Sequence, residues 1–592
     1  MPRRAPYHGV KRRLVLAFDL GTTFSGISYA VLDPGQVPVI KTVSRYPGQE
    51  AGDSKVQTVI HYDAKGKVVA IGAEELPVDD EWQDAQPQKL EWYLLLRPKQ
   101  PATTTTKGIP TPRLPPSKDI IDVYADFYAY LFARAREYIQ QTHANGDLLW
   151  DSVADDVDFV LSHPNGWEGA QQGAMRRAAV KAGLVPDTPA GRERVTFVSE
   201  GEASFHYCVA SGLVADSIQT GNNVMVIDAG GGTVDLSTYT FAEASPIKIQ
   251  EIAPPGCIFE GSVIVRHRAE QHLQHEMVDV VRHSALGDGL PPEAKHAAIR
   301  SERRGEGDMR RTNSTVDRDV KLGIRNGQIK LSKEEVCGFF DPGIEEIIRA
   351  IEEQQGAAAP ASVSTYFLVG GFAASEYLYA KLNAFLNGRG SRLFRPDSHT
   401  NKAVAEGAVS FHIDHFVQTR VAKLTYGIEC IVPFLSGYPK HDARRSQVTI
   451  GMDGERQLQN AFSDILRKVS RGTQVSETKE FKNEYHCVSS RPAQTISLDI
   501  LGYHGSVPPQ FMDEEPDSLS TLCTISADIS DVPYTSGIGP HGRYYAQRIS
   551  VAISLGLTEL KAQIVWEENV RHLFRGPASV VYDDDFAVTV EG

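Results

Sequence analysis

Two short segments of the sequence place an aspartate beside a turn rich in glycine and threonine. They are Asp19-Leu20-Gly21-Thr22-Thr23 and Asp228-Ala229-Gly230-Gly231-Gly232-Thr233. Each aspartate ends an apolar run, so its carboxylate would lie at the end of a buried strand, where it can meet hydrated magnesium. The backbone N–H groups of the turn can hold phosphate oxygens, because glycine lets the backbone approach them closely. Two such turns could bind a polyphosphate from both sides.

The elements around these turns distinguish them from a Walker phosphate loop. A strand, rather than a helix, is predicted after each turn, and no lysine follows the glycines. A third glycine turn, Gly370-Gly371, follows a buried strand predicted at Tyr366-Phe367-Leu368-Val369 and precedes a helix that starts near Ser375. One glycine-rich hairpin is more often only a hairpin, but the pair together with this third turn predicts a nucleotide site.

The hydrophobic pattern divides the chain into three predicted regions. Residues 1–13 form a basic arm that we expect to be solvated. Residues 14–425 alternate predicted strands and helices, including a helix that starts at the N-cap candidate Asp119. Residues 426–592 change to short alternating segments with turns, which predicts a β-rich domain.

Composition excludes several classes of function. The 592 residues carry 61 basic and 75 acidic side chains, a net charge of −14, which disfavours non-specific binding to nucleic acid. No apolar run approaches the roughly 20 residues of a membrane-spanning helix. The six cysteines form no CxxC pair and the eighteen histidines form no ligand cluster, so we expect buried, reduced thiols without disulfides or zinc. This predicts a cytoplasmic protein, with the nucleus as the other candidate compartment.

Five segments resemble motifs of the seventy-kilodalton heat-shock proteins in order and spacing. Residues 17–25 and 227–235 resemble the two phosphate motifs, 198–203 and 403–408 the connecting segments, and 368–372 the adenosine motif. The resemblance covers about residues 14–415 and is greatest to the divergent members that carry Gly-Gly-Phe-Ala after the adenosine strand. It implies an α/β, actin-like ATPase fold of two lobes, each with duplicated ribonuclease-H-like βαβ units. The β-rich C-terminal domain resembles a substrate-binding domain only weakly.

The resemblance implies a role for each matched residue, with ATP or ADP and Mg²⁺ as cofactors. The magnesium ion would be faced, through its waters, by Asp19 and Asp228. The phosphates would be held from the first lobe by Gly21, Thr22, Thr23 and Phe24, and from the second by Gly230, Gly231, Gly232 and Thr233. The catalytic group would be Glu200, Thr233 and Asp235, of which Glu200 and Asp235 would orient the attacking water. The adenosine would be bordered by Gly370, Gly371 and Phe372. Lys321 lies where an adenine-contacting helix would run, and a solvated lysine explains it equally well.

The sequence departs from the family pattern at one catalytic position. The family's catalytic lysine normally precedes the segment found here at residues 89–96; Lys89 is out of register, and Leu94 takes the aligned place. A lysine beside the terminal phosphate supplies positive charge during phosphoryl transfer, and leucine supplies none. We therefore expect ATP binding with slow hydrolysis, unless Lys89 or Arg97 reaches the site from a loop.

Three functions stay open on the sequence alone. The first is a slow ATP hydrolase of the heat-shock-70 type with chaperone-like or regulatory conformational coupling. Its candidate partners are the adenine nucleotide and either client polypeptides or co-chaperones. The second is a nucleotide-binding scaffold or signalling protein that does not hydrolyse ATP. The third is a small-molecule kinase of the same fold, which would need an acceptor pocket and a dedicated base that no segment obviously supplies.

Overall fold

The computed structural model describes most of the chain. The described residues are 4–49, 52–75, 86–89, 114, 117–167, 169–285, 318–319, 324–325, 328–329, 331–396, 402–465, 472–476, 479–505, 507–555, 560–568, 572–575 and 579–581. Leu94, Arg97 and Lys321 lie outside these residues, so the expectations that concern them stay predictions.

The first part of the chain forms a mixed sheet and a smaller antiparallel one. Its strands are β1 (Arg13–Leu20), β2 (Phe24–Leu32), β3 (Lys41–Thr42), β4 (Lys55–Gln57), β5 (Val59–Tyr62), β6 (Val68–Ile71), β7 (Gln86–Lys89), β8 (Val157–His163) and β9 (Val195–Ser199). The mixed sheet has the order β3-β2-β1-β8-β9, with β4 beside β2. Strand β1 pairs antiparallel with β2 and parallel with β8, which pairs parallel with β9.

The second part repeats this topology. Its strands are β10 (Asn223–Ala229), β11 (Val234–Ala244), β12 (Ile247–Glu251), β13 (Gly256–Ile258), β14 (Arg318–Asp319), β15 (Ile324–Arg325), β16 (Gln328–Ile329), β17 (Thr365–Val369) and β18 (Arg392–Phe394). Strand β10 pairs antiparallel with β11 and parallel with β17, which pairs parallel with β18. Each sheet therefore contains a hairpin followed by two parallel strands, and β1 and β10 hold equivalent places.

Helices cover both faces of these sheets. They are α1 (Ile120–Thr142), α2 (Gly146–Asp151), α3 (Gly169–Lys181), α4 (Pro189–Arg192), α5 (Glu200–Ala210), α6 (Ser262–Ala285), α7 (Lys333–Ala358), α8 (Glu376–Asn387) and α9 (Ala403–Asp414). A further short helix, α10 (Pro439–Asp442), lies among the C-terminal strands instead. Strand β1 shows why its apolar run is continuous: Leu14, Leu16 and Phe18 pack on one side, and Val15 and Ala17 on the other. In the described part of the chain, every helix is too short or too polar to cross a lipid bilayer.

Helix α1 begins where the sequence predicts. Asp119 is its N-cap: its side chain accepts a hydrogen bond from the Asp122 backbone N–H, and the Asp122 side chain accepts one from Asp119. This capping box satisfies N–H groups that the first helical turn leaves without partners. The predicted apolar face, which includes Val123 and Phe127, is buried.

The two predicted connecting segments begin α5 and α9, which pack against each other between β1 and β10. Val404 and Ala408 contact the apolar side chains behind β1, and Phe205 contacts those behind β10. The helix backbones approach very closely at Gly407. A Cβ atom added there would lie 1.8 Å from the carbonyl oxygen of Ala203.

We expect Gly407→Ala to destabilise the protein, because the added methyl group meets backbone rather than a movable side chain. The cost should be about 1–3 kcal/mol, as for other overpacked cores. Gly338→Ala is the matched control: Gly338 is exposed within α7 and open to added atoms, so alanine should stabilise by about 0.5–1 kcal/mol. Thermal unfolding of both variants checks this, and equal melting temperatures would contradict the close packing.

The described chain from Val417 onward consists mainly of strands. They are β19 (Val417–Val421), β20 (Thr425–Pro433), β21 (Thr449–Ile450), β22 (Arg456–Asp464), β23 (Gln474–Ser476), β24 (Glu480–Ser489), β25 (Thr495–Tyr503), β26 (Leu519–Asp528), β27 (Tyr534–Gly539), β28 (Gly542–Leu555), β29 (Leu560–Glu568), β30 (His572–Arg575) and β31 (Ser579–Val581). Ile525, Ile553 and Ile564 belong to one buried apolar cluster between its two larger sheets. Strands β19 and β23 instead extend the sheet of β10. The domain boundaries stay a prediction.

Two expectations about polar groups need correction. The basic N-terminal residues are not simply solvated: Arg4 pairs with Asp414 of α9 at 2.7 Å, and Arg13 pairs with Asp158 of β8. The six cysteines are free thiols as expected, but only Cys208 and Cys523 are buried. The other four are half-buried: Cys257, Cys430 and Cys487 lie in strands, and Cys337 lies in α7.

Candidate functional site

A cavity of about 520 Å³ opens where β1 and β10 end side by side. It brings together residues that lie more than 300 positions apart in the sequence. The sequence-predicted residues that line it are Asp19, Gly21, Thr22, Thr23, Phe24, Glu200, Asp228, Gly230, Gly231, Gly232, Thr233, Gly370 and Gly371. The three glycine turns therefore share one site.

The first turn, residues 20–24, is held in place from outside. Thr58 donates its hydroxyl to the Gly21 carbonyl at 2.8 Å, and its backbone N–H donates to the Thr23 carbonyl at 2.9 Å. Gly21 leaves no room for a side chain, because a Cβ atom there would lie 2.6 Å from the Phe24 carbonyl oxygen. The tight turn thus depends on glycine.

The second turn, residues 230–233, is closed on itself and capped by a helix. The Gly230 N–H donates to the Thr233 carbonyl at 2.9 Å. The backbone N–H groups of Ser262 and Val263, at the start of α6, donate to the carbonyls of Gly230 and Gly231. These three hydrogen bonds occupy the backbone carbonyl groups of Gly230, Gly231 and Thr233 and hold the turn in shape.

The two turns meet across the cavity. A Cβ atom on Gly231 would lie 2.5 Å from the Thr23 hydroxyl oxygen. The first and second sheets therefore present their glycine turns to each other at contact distance. A ligand between them would be held from both sides, as the sequence predicts.

The third turn depends on Gly370, which has a φ angle of +91°. A Cβ atom there would lie 2.4 Å from both the Ala229 carbonyl oxygen and an Asp228 carboxylate oxygen. Gly371 is different, because its φ angle is −67° and a Cβ atom would meet nothing within 4 Å. The two neighbouring glycines thus provide a matched pair of substitutions.

We expect Gly370→Ala to weaken ligand binding and to destabilise the fold by about 1–3 kcal/mol, because it combines backbone strain with a clash against Asp228. Gly371→Ala should leave the free energy of unfolding within about 0.5 kcal/mol of the wild type. Chemical unfolding of both variants, each followed by nucleotide titration, checks this. A tolerated alanine at residue 370 would show that the turn does not need its left-handed backbone.

Buried carboxylates form the floor of the cavity. Burial, opposed by a hydrogen bond from Ser204, raises the pKa of Asp228 to about 7, and the nearby Asp235 and Asp19 add to the increase. Burial and the charges of Asp235, Asp19 and Asp228 hold the pKa of Glu200 well above its usual range. So many carboxyl groups in one place disfavour ionisation and favour a bound cation.

The donor set fits magnesium held through water. Asp19 and Asp228 come from equivalent strands of the two sheets and face the same cavity. Among the residues that the structure describes, no group of three or more histidine, cysteine, aspartate or glutamate side chains could ligate a metal directly. Magnesium commonly keeps several waters and uses one or two carboxylates together with substrate phosphates.

Asp235 lies behind the cavity wall. It accepts hydrogen bonds from the Asn165 backbone N–H at 2.6 Å and from the Thr233 hydroxyl at 2.9 Å, and it contacts the Cys257 thiol. Its pKa is raised to about 6, chiefly by burial. Asp235 therefore orients Thr233, which lines the cavity, while Glu200 at the start of α5 lines the cavity itself.

Phe372 is not among the residues that line the cavity, whereas the neighbouring Gly370 and Gly371 are. Residues 372–374 form a 3₁₀ turn that directs the ring into the apolar core, where it packs against Phe340. Ala374 lines the cavity instead. An apolar aromatic ring gains more from this burial than from a place on a polar cavity wall.

Sequence reasoning missed Lys55. Its ammonium group lies 2.7 Å from a carboxylate oxygen of Asp19, inside the cavity. The expectation about Leu94 stays a prediction, but the described cavity does contain a lysine, Lys55. No local motif marks Lys55, because strand pairing, rather than sequence proximity, brings it to Asp19.

Comparison with known proteins agrees with the resemblance found in the sequence motifs. No protein-family model matches the chain. The chain is similar to human heat-shock proteins. It is 23% identical to human heat shock 70 kDa protein 12B and 22% identical to human heat shock 70 kDa protein 12A, in each case over 93% of this chain and 89% of the relative. The mouse 12A protein is 22% identical over 82% of this chain and 80% of its own length.

These are distant relationships, but they cover nearly the whole chain. The alignments extend beyond the cavity into the strand-rich region after Val417, because they span 93% of the residues. The chain is thus a distant, divergent homologue of heat-shock-70-like proteins. The mixed α/β architecture is compatible with the actin-like ATPase fold that the sequence predicts.

Proposed function

We propose that this protein binds ATP with magnesium in the cavity between β1 and β10 and hydrolyses it. The observation that carries the proposal is the meeting of two glycine turns above buried Asp19 and Asp228. Backbone N–H groups of glycine turns of this kind suit phosphate oxygens, and the paired carboxylates suit a hydrated divalent cation. The distant similarity to heat-shock-70-like proteins supports the same ligand.

In this proposal each side chain has a limited task. Asp19 and Asp228 would hold magnesium through its waters, and the bound ion would supply positive charge at the phosphates as a Lewis acid. Asp235 fixes the Thr233 hydroxyl beside the phosphates. Glu200 orients the attacking water from the start of α5.

We further propose the actin-like fold, with duplicated ribonuclease-H-like units. The repeated strand order supports it, because two independent sheets of unrelated origin would not be expected to share the hairpin and both parallel strands. The cavity also lies at the carboxyl ends of equivalent strands, where ligands of open α/β sheets commonly bind.

Conformational coupling to the strand-rich C-terminal region is the regulatory part of the proposal. Strand β19 pairs with β12, and Arg420 within it forms an ion pair with Glu202 at 2.6 Å. Beyond β19, Lys423 donates to the Asn165 carbonyl, while the Asn165 N–H donates to Asp235. A chain of direct contacts therefore joins the start of the C-terminal strands to the proposed catalytic group, and client polypeptides or co-chaperones are the partners it would serve.

A released-phosphate assay on the full-length protein tests hydrolysis. We expect magnesium-dependent phosphate release that Glu200→Gln lowers by about 10²-fold, since this group orients the water. ATP binding without phosphate release would favour the second candidate, a nucleotide-binding scaffold. Binding should survive Glu200→Gln, because the phosphate turns and both proposed metal-facing aspartates remain.

A further inference from the structure

We propose that Lys55, delivered by strand β4, contacts the terminal phosphate of the bound nucleotide and stabilises its charge during hydrolysis. This inference rests on the proposed function and assigns the cation of the site to a segment well before residue 94. Three observations carry it: the position of the ammonium group, the way its stem is held, and the charge around it.

The ammonium group already lies in the cavity. Lys55 Nζ donates to Asp19 Oδ2 at 2.7 Å, and the other oxygen of Asp19 accepts a hydrogen bond from the Ser162 hydroxyl. The Lys55 side chain is 17% exposed, so it is screened from bulk water but still open to the cavity. Lys55 and Asp19 therefore form one edge of the space between the two glycine turns.

The stem of Lys55 is held by features specific to this position. Strand β4 pairs with β2 so that Lys55 lies opposite Gly26. A Cβ atom on Gly26 would lie 3.3 Å from Lys55 Cγ and 3.5 Å from Lys55 Cε. The aliphatic part of the Lys55 side chain therefore packs over the backbone of Gly26, on the side where another residue would carry its Cβ atom. The Gln49 side-chain amide also donates to the Lys55 carbonyl at 3.1 Å.

The charge of the cavity calls for such a group. Asp19, Asp228 and Glu200 line it, and a nucleotide would add its phosphates. Among the described residues that line the cavity, Lys55 is the only one with a cationic side chain. A lysine ammonium is a compact charge on a flexible stem, so from its place beside Asp19 it could reach a phosphate oxygen of a bound nucleotide.

The step itself leaves Lys55 unchanged. A water oxygen bonds to the γ-phosphorus while the bond from that phosphorus to the β,γ-bridging oxygen breaks, and ADP leaves with the electron pair. One water proton stays on the released phosphate and the other passes to solvent. Lys55 forms no covalent bond and transfers no proton; it offsets negative charge on the transferring group.

Single-turnover hydrolysis of pre-bound ATP with magnesium tests the proposal on the full-length protein. We expect Lys55→Met to lower the rate by about 10² to 10³, the usual value of one electrostatic donor, while ATP affinity falls by less than about tenfold. Lys65→Met is the control, because Lys65 is exposed on a turn outside the cavity, and its rate should equal that of the wild type.

Rescue separates a cationic role from a structural one. We expect ethylammonium to restore at least about tenfold of the rate lost by Lys55→Ala, whereas propanol, a neutral alcohol of similar size, restores none. Rescue of Lys55→Ala also tests the proposal if the Lys55→Met protein does not fold. A folded, ATP-bound Lys55→Met protein within about threefold of the wild-type rate would overturn the proposal, as would rescue by propanol alone.

Failure of the proposed function has a different signature. If the wild type binds no ATP, the nucleotide site and the role of Lys55 fall together. If it binds ATP with magnesium but releases no phosphate, the nucleotide site stands and the role of Lys55 in hydrolysis is overturned.

Discussion

Asp228→Asn is expected to lower the affinity for ATP in magnesium by about 10²-fold while leaving the affinity in EDTA nearly unchanged. The substitution keeps the shape of a buried side chain that contacts Ser204 but removes its charge toward the cavity. Loss of a carboxylate that contacts a metal ion only through one of its direct ligands, such as a water molecule, typically lowers the metal affinity by about 10- to 100-fold. Equilibrium titrations with and without magnesium measure both effects.

Asp53→Asn is the matched control for this prediction. Asp53 also lines the cavity, but it is exposed at the rim. A charge in contact with bulk water is screened and contributes little. Equal losses of magnesium-dependent affinity in the two variants would show that general negative charge, rather than the position of Asp228, attracts the ion.

The metal-free wild type should lose stability relative to Asp228→Asn as the pH rises. Burial raises the pKa of folded Asp228 from 3.8 to about 7, so the folded protein holds this proton more tightly than the unfolded chain does. The resulting stability is fully present below about pH 4 and is lost as the pH rises through about pH 7. Three pKa units correspond to about 4 kcal/mol.

Urea unfolding in EDTA at about pH 5 and about pH 8 measures this effect, and roughly 3 kcal/mol of it should fall between those two values. Groups far from the cavity titrate equally in both proteins, so the difference between wild type and Asp228→Asn reports Asp228 together with Glu200, whose pKa its charge also raises. A difference that stays constant with pH would show that Asp228 ionises normally in the folded protein. Magnesium bound with ATP should reduce the loss at the higher pH, since ligands that bind only the folded protein stabilise it and the magnesium ion places positive charge beside the Asp228 carboxylate.

The glycine turns could be predicted from sequence because their chemistry is local. Asp19 and Asp228 each end an apolar strand, and the glycines that follow permit backbone geometry that other residues rarely adopt. The repeated pattern of strand, aspartate and turn also indicated that the two segments would hold equivalent places. The repeated sheet topology has that arrangement.

Lys55 and Phe372 could not be placed in the same way, because tertiary contacts decide their positions. Lys55 begins a three-residue strand with no motif around it, and only its pairing opposite Gly26 turns it toward Asp19. Phe372 follows two glycines that match a nucleotide motif, yet its ring is buried in an apolar cluster against which half-buried Phe340 of α7 packs. The sequence predicts the glycine turn itself, but it does not predict whether the Phe372 ring lies on the cavity side or the core side of that turn.

Calorimetric titration of ATP into the full-length protein, in magnesium and again in EDTA, tests the central claim most directly. We expect saturable binding of one ATP per chain in magnesium, and weaker binding in EDTA. Asp228→Asn should weaken the magnesium titration, while Asp53→Asn should not. Titration at two temperatures is needed, because a heat of binding can vanish at one of them. Folded wild-type protein that gives no binding signal at either temperature would contradict the account.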